Sequence, residues 1–412
     1  MNLVERHIIN QNHELFSSCD DLCFKSKNIY NLSLYKINQD IKNNSYNSLN
    51  NLFHVMKNED CFKQLPMKVA TATTILVQKN IKSFFKGISD CKKHPEKYKS
   101  QPKFPKYLSK ENGRFVTSYN YQAISKKVFK HNHKIKLSGI NIEFYTKIES
   151  FDLINCVRII PQLGQYTIEV CYSIPDSVKL KNNKQYLSID LGVNNLSTLT
   201  SNIKGFTPLI INGKPLKSIN QYYNKQLSYY KSKLEKLNNK KFSKRINKLT
   251  NKRTNKIDNY LHKSSNEIIK ISKENQLNTI IIGKNDNWKQ KVEMTKVNNQ
   301  NFVNIPHSRF INMLIYKCEK EGVNVILQEE SYTSKASFLN LDSIPTYGKV
   351  SDEPVFSGYR KHRGLYKIKE HDVFINADVN GSYNILRKAI PNAFVNGIEG
   401  VVVHPKIIKI LN

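Results

Sequence analysis

The chain has 412 residues, with 65 Lys and Arg against 33 Asp and Glu, a formal net charge of +32 at pH 7. That length points to about two to four domains, and the cationic surplus exceeds what solubility asks for, so it favours a polyanionic partner. No apolar run approaches the roughly 18 residues of a membrane helix, and the opening MNLVERHIINQNHELF has neither a signal core nor a cleavage pattern. These exclusions point away from a membrane and towards a cytoplasmic, nucleoid-associated protein.

Residues 10–95 are predicted to be helical, because apolar side chains recur at three and four: Leu22, Ile29, Leu32 and Leu34, then Val69, Ala72, Ile75 and Leu76. The polar stretch Asn43–Asn51 separates the helical pieces. Cys19 and Cys23 stand four apart on this segment with no second pair at ligand spacing, so they read as small core residues. From Gln101 the run QPKFPKYLSKENGRF is basic and punctuated by Pro, which ends the helices. Strands are predicted at Ile135–Leu137, Ile140–Phe144, Cys156–Ile160 and Tyr166–Ile174, and short strands with turns suggest a small barrel with the helices inserted near its start.

A hairpin turn is predicted around Asn212-Gly213, and a long polar helical segment from Ile219 to about Asn275 with a turn near Asn238-Asn239. Between Lys225 and Lys263 it carries 13 Lys and Arg and only Glu235 and Asp258 as acids. A solvated helix face would have compensating acids one turn away, so phosphate contact is the better reading. Lys240, Lys241, Lys244, Arg245, Lys252 and Arg253 are the candidate contacts. Tyr222, Tyr223, Tyr229, Tyr230 and Tyr260 are interspersed and could stack on bases. Ile280–Ile282 reads as a buried strand, with Trp288 anchoring the loop after it.

Three acidic clusters sit where strands should end. In YLSIDLGVNN, the apolar run Tyr186, Leu187 and Ile189 delivers Asp190, and Gly192 turns the chain. In GVNVILQEES, Val323, Val325 and Leu327 alternate with polar or opposite-face residues and run into Glu329 and Glu330. In FINADVNGSYNIL, Asp378 precedes a helix predicted to begin near Gly381. One Asp at a strand end is usually a turn former or a cap. Three carboxylates brought together would instead hold a hard divalent cation.

The strings IDLGVNNL with TLTSN, EESYTSKAS and INADVNGSYNILRKAIPNAF, in this order, resemble those of TnpB-type (OrfB) transposon-encoded proteins. These are RNA-guided DNA endonucleases related to type V CRISPR effectors. The likeness is strongest over residues 184–398, and NFVNIPHSRFINMLIYKCEKEGV is similar to the family's linker between nuclease segments. The resemblance implies a multidomain α+β and α/β chain. It would have a small wedge-type β-barrel (1–20 and 101–183), an inserted helical recognition domain (21–100) and a RuvC-like RNase H-fold nuclease domain (184–412). The basic hairpin at 219–275 and an insert at 336–372 would lie within the nuclease domain. It further implies Mg²⁺ or Mn²⁺, two ions, held by Asp190, Glu330 and Asp378, with Asn380 and Asn384 orienting ligands. The implied partners are a guide RNA derived from the mobile element and double-stranded target DNA.

Two departures from the family pattern stand out. Gly283 occupies the position where relatives carry the catalytic Glu, so Glu330 is expected to supply it from the neighbouring strand, with Glu329 in reserve. No Cys follows Cys318, so the family's zinc ribbon cannot form in the insert and no zinc is expected. The insert's basic string Tyr359–Lys369 offers Arg360 and Arg363 to nucleic acid. A nuclease-dead, RNA-guided DNA-binding repressor and a conventional RNase H-fold transposase are the alternatives.

Overall fold

The computed structural model describes residues 1–238, 242–285, 304–346, 348, 354–362, 364–369 and 373–410. Lys240, Lys241, Trp288 and Arg363 lie outside the described residues. The chain forms two compact units, Met1–Pro175 and Asp176–Asn412, so the boundary falls eight residues before the one drawn at 183/184.

In the first unit, β1 (Asn2–Ile9) precedes a helical segment of α1 (Phe16–Lys42), the short α2 (Asn47–Asn50), α3 (Leu52–Met56) and α4 (Asp60–Lys63), and α5 (Met67–Lys93). Then come β2 (Thr117–Asn120), α6 (Lys126–Asn132), β3 (Lys134–Lys136), β4 (Glu143–Tyr145), β5 (Ile154–Gln162) and β6 (Gln165–Ser173). The face of α5 that packs carries Val69, Ala70, Thr73, Val77 and Ile81, while Ile75, assigned to that stripe from spacing, is exposed.

The antiparallel sheet runs β1-β6-β5-β2, and β3-β4 is a separate ribbon. The β5–β6 connection is a two-residue turn in which Leu163 and Gly164 both have positive φ, 46° and 78°, the backbone that matches the twist of a tight hairpin. The expected barrel is thus a sheet with two edges, because β1 and β2 do not pair with each other. Helices α1 and α5 share one apolar core with Val157, Ile159, Ile168 and Val170 of the sheet, so its apolar face is covered without closure.

The second unit is built on a six-stranded sheet, β11-β10-β7-β8-β9-β15. Its strands are β7 (Tyr186–Leu191), β8 (Asn195–Ser201), β9 (Leu209–Asn212), β10 (Thr279–Gly283), β11 (Asn324–Gln328) and β15 (Lys406–Ile408). Parallel pairs β10–β11 and β10–β7 sit beside the antiparallel pairs β7–β8 and β8–β9. Among the described residues its helices are α7 (Lys214–Asn238), α8 (Lys244–Glu274), α9 (His307–Lys320) and α10 (Ala377–Ala389).

Side chains alternate along each strand, so the sheet is buried on both faces. Leu187, Ile189, Ile280 and Ile282 pack with Ile257, Leu261 and Ile268 of α8 and Phe310 and Leu314 of α9. Tyr186 and Ile281 pack on the opposite face with Ile385 and Leu386 of α10. Asp190 shares the parity of Tyr186 and Ser188, and therefore lies on the α10 face. A smaller sheet, β12 (Gly358–His362), β13 (Leu365–Ile368) and β14 (Phe374–Asn376), leads into α10.

Two local expectations change. Asn212-Gly213 is a strand-to-helix junction rather than a hairpin turn: the Asn212 side chain accepts from the Lys214 amide at 2.8 Å and α7 begins at Lys214. The basic hairpin accordingly starts five residues before Ile219.

Candidate active site

Asp190 is the fifth residue of β7, and its neighbour Ile189 is in register with Ile282 of β10. One step along, Gly283 ends β10 and pairs with Gln328 of β11. The parity that puts Ile281 against α10 also puts Gly283 there. A Cβ built on Gly283 would lie 2.5 Å from Glu330 Oε2 and 2.6 Å from Ile385 Cδ1. The space a side chain would take at the end of β10 is thus filled by the carboxylate of Glu330, which reaches across from beyond β11.

Asn285 fixes this reach. Its side-chain oxygen accepts from the Glu330 amide at 3.0 Å, and its Nδ2 donates to Glu330 Oε1 at 3.4 Å. Burial pushes the Glu330 carboxyl up to about 7, with the charge of Glu329 adding to the rise and Lys388 opposing it. Asp190 is held well above the usual carboxylate range, first by burial and then by the charges of Glu330 and Asp378, with Arg360 opposing. A buried acid whose proton affinity is raised further by two neighbouring carboxylates sits in a centre short of positive charge.

Glu329 turns elsewhere. Lys388, whose side chain is 7% exposed, donates to Glu329 Oε2 at 2.6 Å and also to the Ser331 and Pro345 carbonyls. Glu329 Oε1 accepts from the Ser331 amide at 2.7 Å. Burial works against its ionised form, but the hydrogen bonds from Lys388 and Ser331 outweigh it and bring the carboxyl below its ordinary value. It serves as a turn anchor.

Asp378 is inside α10 rather than ahead of it. Asn376 caps the helix, accepting from the amides of Asp378 at 3.0 Å and Val379 at 3.1 Å, which moves the start four residues before Gly381. A carboxylate in the first turn also faces the helix's unpaired amides. Helix α10 lies tight on the sheet here: a Cβ on Gly381 would be 3.0 Å from Asp190 Oδ2, and Ser188 Oγ donates to the Ser382 carbonyl at 2.8 Å. Asp378 accepts from Asn195 Nδ2 at 2.7 Å and from Arg360 at 2.9 Å. Among the described residues no group of three or more His, Cys, Asp or Glu side chains is arranged to hold a metal ion. Asp190 feels the charges of Glu330 and Asp378, while both oxygens of Asp378 are engaged by Arg360 and Asn195.

Asn380 and Asn384, the expected supporting residues, bond to the loop that leads into the insert. Asn380 is fully buried, accepting from the Phe338 amide at 2.9 Å and donating to the Ala336 carbonyl at 2.8 Å. Asn384 donates to the carbonyls of Thr333 and Ala336 and accepts from Arg387. Both hang the 333–338 loop on α10, because a buried loop backbone needs partners. Phe338, stacked on Tyr383 with centroids 4.3 Å apart, seals it.

The basic contacts also divide. Lys244 and Lys252 are exposed on α8. Arg245 lies over the Tyr230 ring at 4.7 Å. Arg253 is taken up internally, donating to Asn220 Oδ1 at 2.7 Å and stacking on Tyr223 at 5.0 Å. Tyr260 is buried and donates to the Asn212 carbonyl, so it is core rather than a stacking platform. Asn195, Asn285 and Lys388 contact the candidate carboxylates and are missed by the sequence reading. Asn195 falls inside the IDLGVNNL string and carries a signal there; Asn285 and Lys388 depend on contacts 45 and 59 residues away.

Residues 169–289 match the family model OrfB_IS605, described as "Probable transposase", and residues 307–385 match the Cas12f1-like TNB domain. No curated protein matches the chain in sequence. Among solved structures, a Cas12f1–sgRNA–target DNA complex is 15% identical, covering 93% of this chain and 98% of that one, with a TM-score of 0.36. A CRISPR-Cas12f ternary complex is 14% identical over 89% and 80%, at 0.36. The mini-RNA-guided endonuclease CRISPR-Cas_phi3 is 14% identical over 72% and 61%, at 0.37. Likenesses this faint carry no weight for the fold, and the two domain matches each span less than a third of the chain.

Proposed function

We propose that this chain, a TnpB-type relative of the type V effectors by its two domain matches, is an RNA-guided DNA endonuclease with a rearranged Asp/Glu/Asp centre. The observation that carries the reading is the fit of Glu330 into the space beside Gly283, one strand from Asp190. Burial of a carboxylate there, with Glu329 beside it, raises its proton affinity instead of lowering the energy of the fold.

Asp190, Glu330 and Asp378 would hold Mg²⁺ or Mn²⁺, since carboxylate oxygens are the donors those hard cations take. When bound, such ions supply Lewis-acid stabilisation of the phosphate being cut. The chain's own residues do the rest. Asn285 keeps Glu330 turned inwards, Gly381 lets Asp190 approach α10, and the Lys388–Glu329 pair fixes the turn that delivers Glu330. Arg360 donates to Asp378, and its exposed guanidinium would also be within reach of a DNA phosphate brought to the centre. The target sequence would be chosen by pairing with a guide RNA, and the cationic surface would hold the heteroduplex by its backbone.

One observation favours a second reading, a DNA-binding protein that does not cut: both oxygens of Asp378 are already engaged, and among the described residues no three acids are assembled. The protein with its co-purified RNA, mixed with a plasmid library and Mg²⁺, separates the two. Linear product that disappears with chelator supports the endonuclease. Guide-dependent binding without any cut supports the repressor.

A further inference from the structure

The described ends of α7 and α8 carry a second feature, outside the carboxylate centre. Tyr229, Tyr230, Lys233 and Leu234 near the end of α7 face Ser243 and Arg245 at the start of α8 across a cleft of about 360 Å³. That volume is in the range of small-ligand clefts, about 300–1,000 Å³. The two rings meet edge to face with centroids 5.3 Å apart, and each carries a cation on its face, Lys233 over Tyr229 and Arg245 over Tyr230, both at 4.7 Å. Tyr229 is 51% exposed, and neither ring belongs to the apolar clusters of the described residues.

We propose that this cleft seats one unpaired nucleotide, its base stacked on the Tyr229–Tyr230 pair and its phosphates met by Lys233 and Arg245. Tyrosines needed for packing would lie among the buried side chains of α8, as Tyr260 does. Rings outside the core with cations beside them offer what a base requires: a π face, and positive charge within reach of the adjoining backbone. Duplex stacks its bases internally and cannot offer one to the cleft, so the site selects single strand. RNA and DNA share this chemistry. The inference goes beyond the nuclease reading, since it needs a nucleic-acid partner but no cleavage.

The test uses the full-length chain carrying Asp190→Ala, so that no probe is cut and a failed nuclease reading leaves the result intact. Short single strands of uridine-rich RNA and thymidine-rich DNA, each with a 5-iodo base, are photocross-linked and the adduct mapped by peptide mass spectrometry. An adduct on Tyr229 or Tyr230 is expected, in the RNA arm if the nucleotide comes from a guide and in the DNA arm if it comes from an unwound target. Tyr229→Ala with Tyr230→Ala should weaken single-strand binding about ten-fold or more, leaving duplex affinity and the salt slope unchanged. The Phe pair should bind as wild type, which separates lost stacking from lost folding. No adduct on either ring in both arms, unchanged single-strand affinity in the Ala pair, or an equal loss on duplex would overturn the proposal.

Discussion

At the residue scale, the exchange between Gly283 and Glu330 has consequences that do not depend on catalysis. Glu330 has an ordinary value near 4.5 and is raised to about 7 in the folded chain. Between those limits the unfolded chain loses the proton while the folded one keeps it, so stability falls as pH rises through that window and levels off above it. The loss amounts to at most about 3 kcal/mol. Denaturant midpoints measured without divalent metal should therefore drop from pH 4.5 to 7, and Glu330→Gln should make the curve shallower, leaving the part that burial of Asp190 contributes. Gly283→Ala is expected to act on the same contact, because the added carbon would sit 2.5 Å from Glu330 and 2.6 Å from Ile385. Overpacking of that kind costs about 1–3 kcal/mol, so thermal denaturation should register it, and cleavage should fall further than stability as Glu330 is displaced.

At the scale of elements, what can be read from sequence depends on whether the deciding contact is local. The alternation of Leu187 and Ile189 around Ser188 is enough to place Asp190 on a strand, since strand parity is a property of neighbours. The start of α10 escapes that reading because Gly381 looks like a helix boundary, whereas the cap is Asn376 and the glycine is there for the close approach of Asp190. The filling of the space beside Gly283 is legible only as a missing Glu, since the fit itself follows from the register Gly283↔Gln328. Arg253 looks like a phosphate ligand until Asn220, 33 residues earlier, takes its guanidinium. The hairpin's two classes of cation can be told apart by salt. Changing exposed Lys244, Lys248 and Lys252 to Ala should lower the slope of log K against log salt by up to about 0.7–0.9 for each phosphate deprived of its cation. Arg253→Ala should leave that slope unchanged and instead lower stability by about 1–2 kcal/mol, as read by denaturant melts.

At the scale of the whole molecule, a net charge of +32 supplies attraction for any nucleic acid but no sequence choice and no chemistry. Among the described residues no helix is long and apolar enough to cross a membrane, and the second unit concentrates its acids of interest at the α10 end of one sheet. A sheet buried on both faces holds Asp190 and Gly283 in fixed register, so in the proposed centre Glu330 can supply a carboxylate from beyond the neighbouring strand without a change in the core. In the proposed centre Glu330, and not Glu329, is the third carboxylate. That assignment is tested by single-turnover cleavage of cognate DNA by the RNA-loaded protein in Mg²⁺, with DNA binding measured on the same samples. Glu330→Ala should match Asp190→Ala and Asp378→Ala, losing at least about a thousand-fold in rate (roughly 4 kcal/mol of barrier) with binding intact, while Glu329→Ala should keep most of the activity. Wild-type cutting by Glu330→Ala would mean that Glu330 is not the third carboxylate.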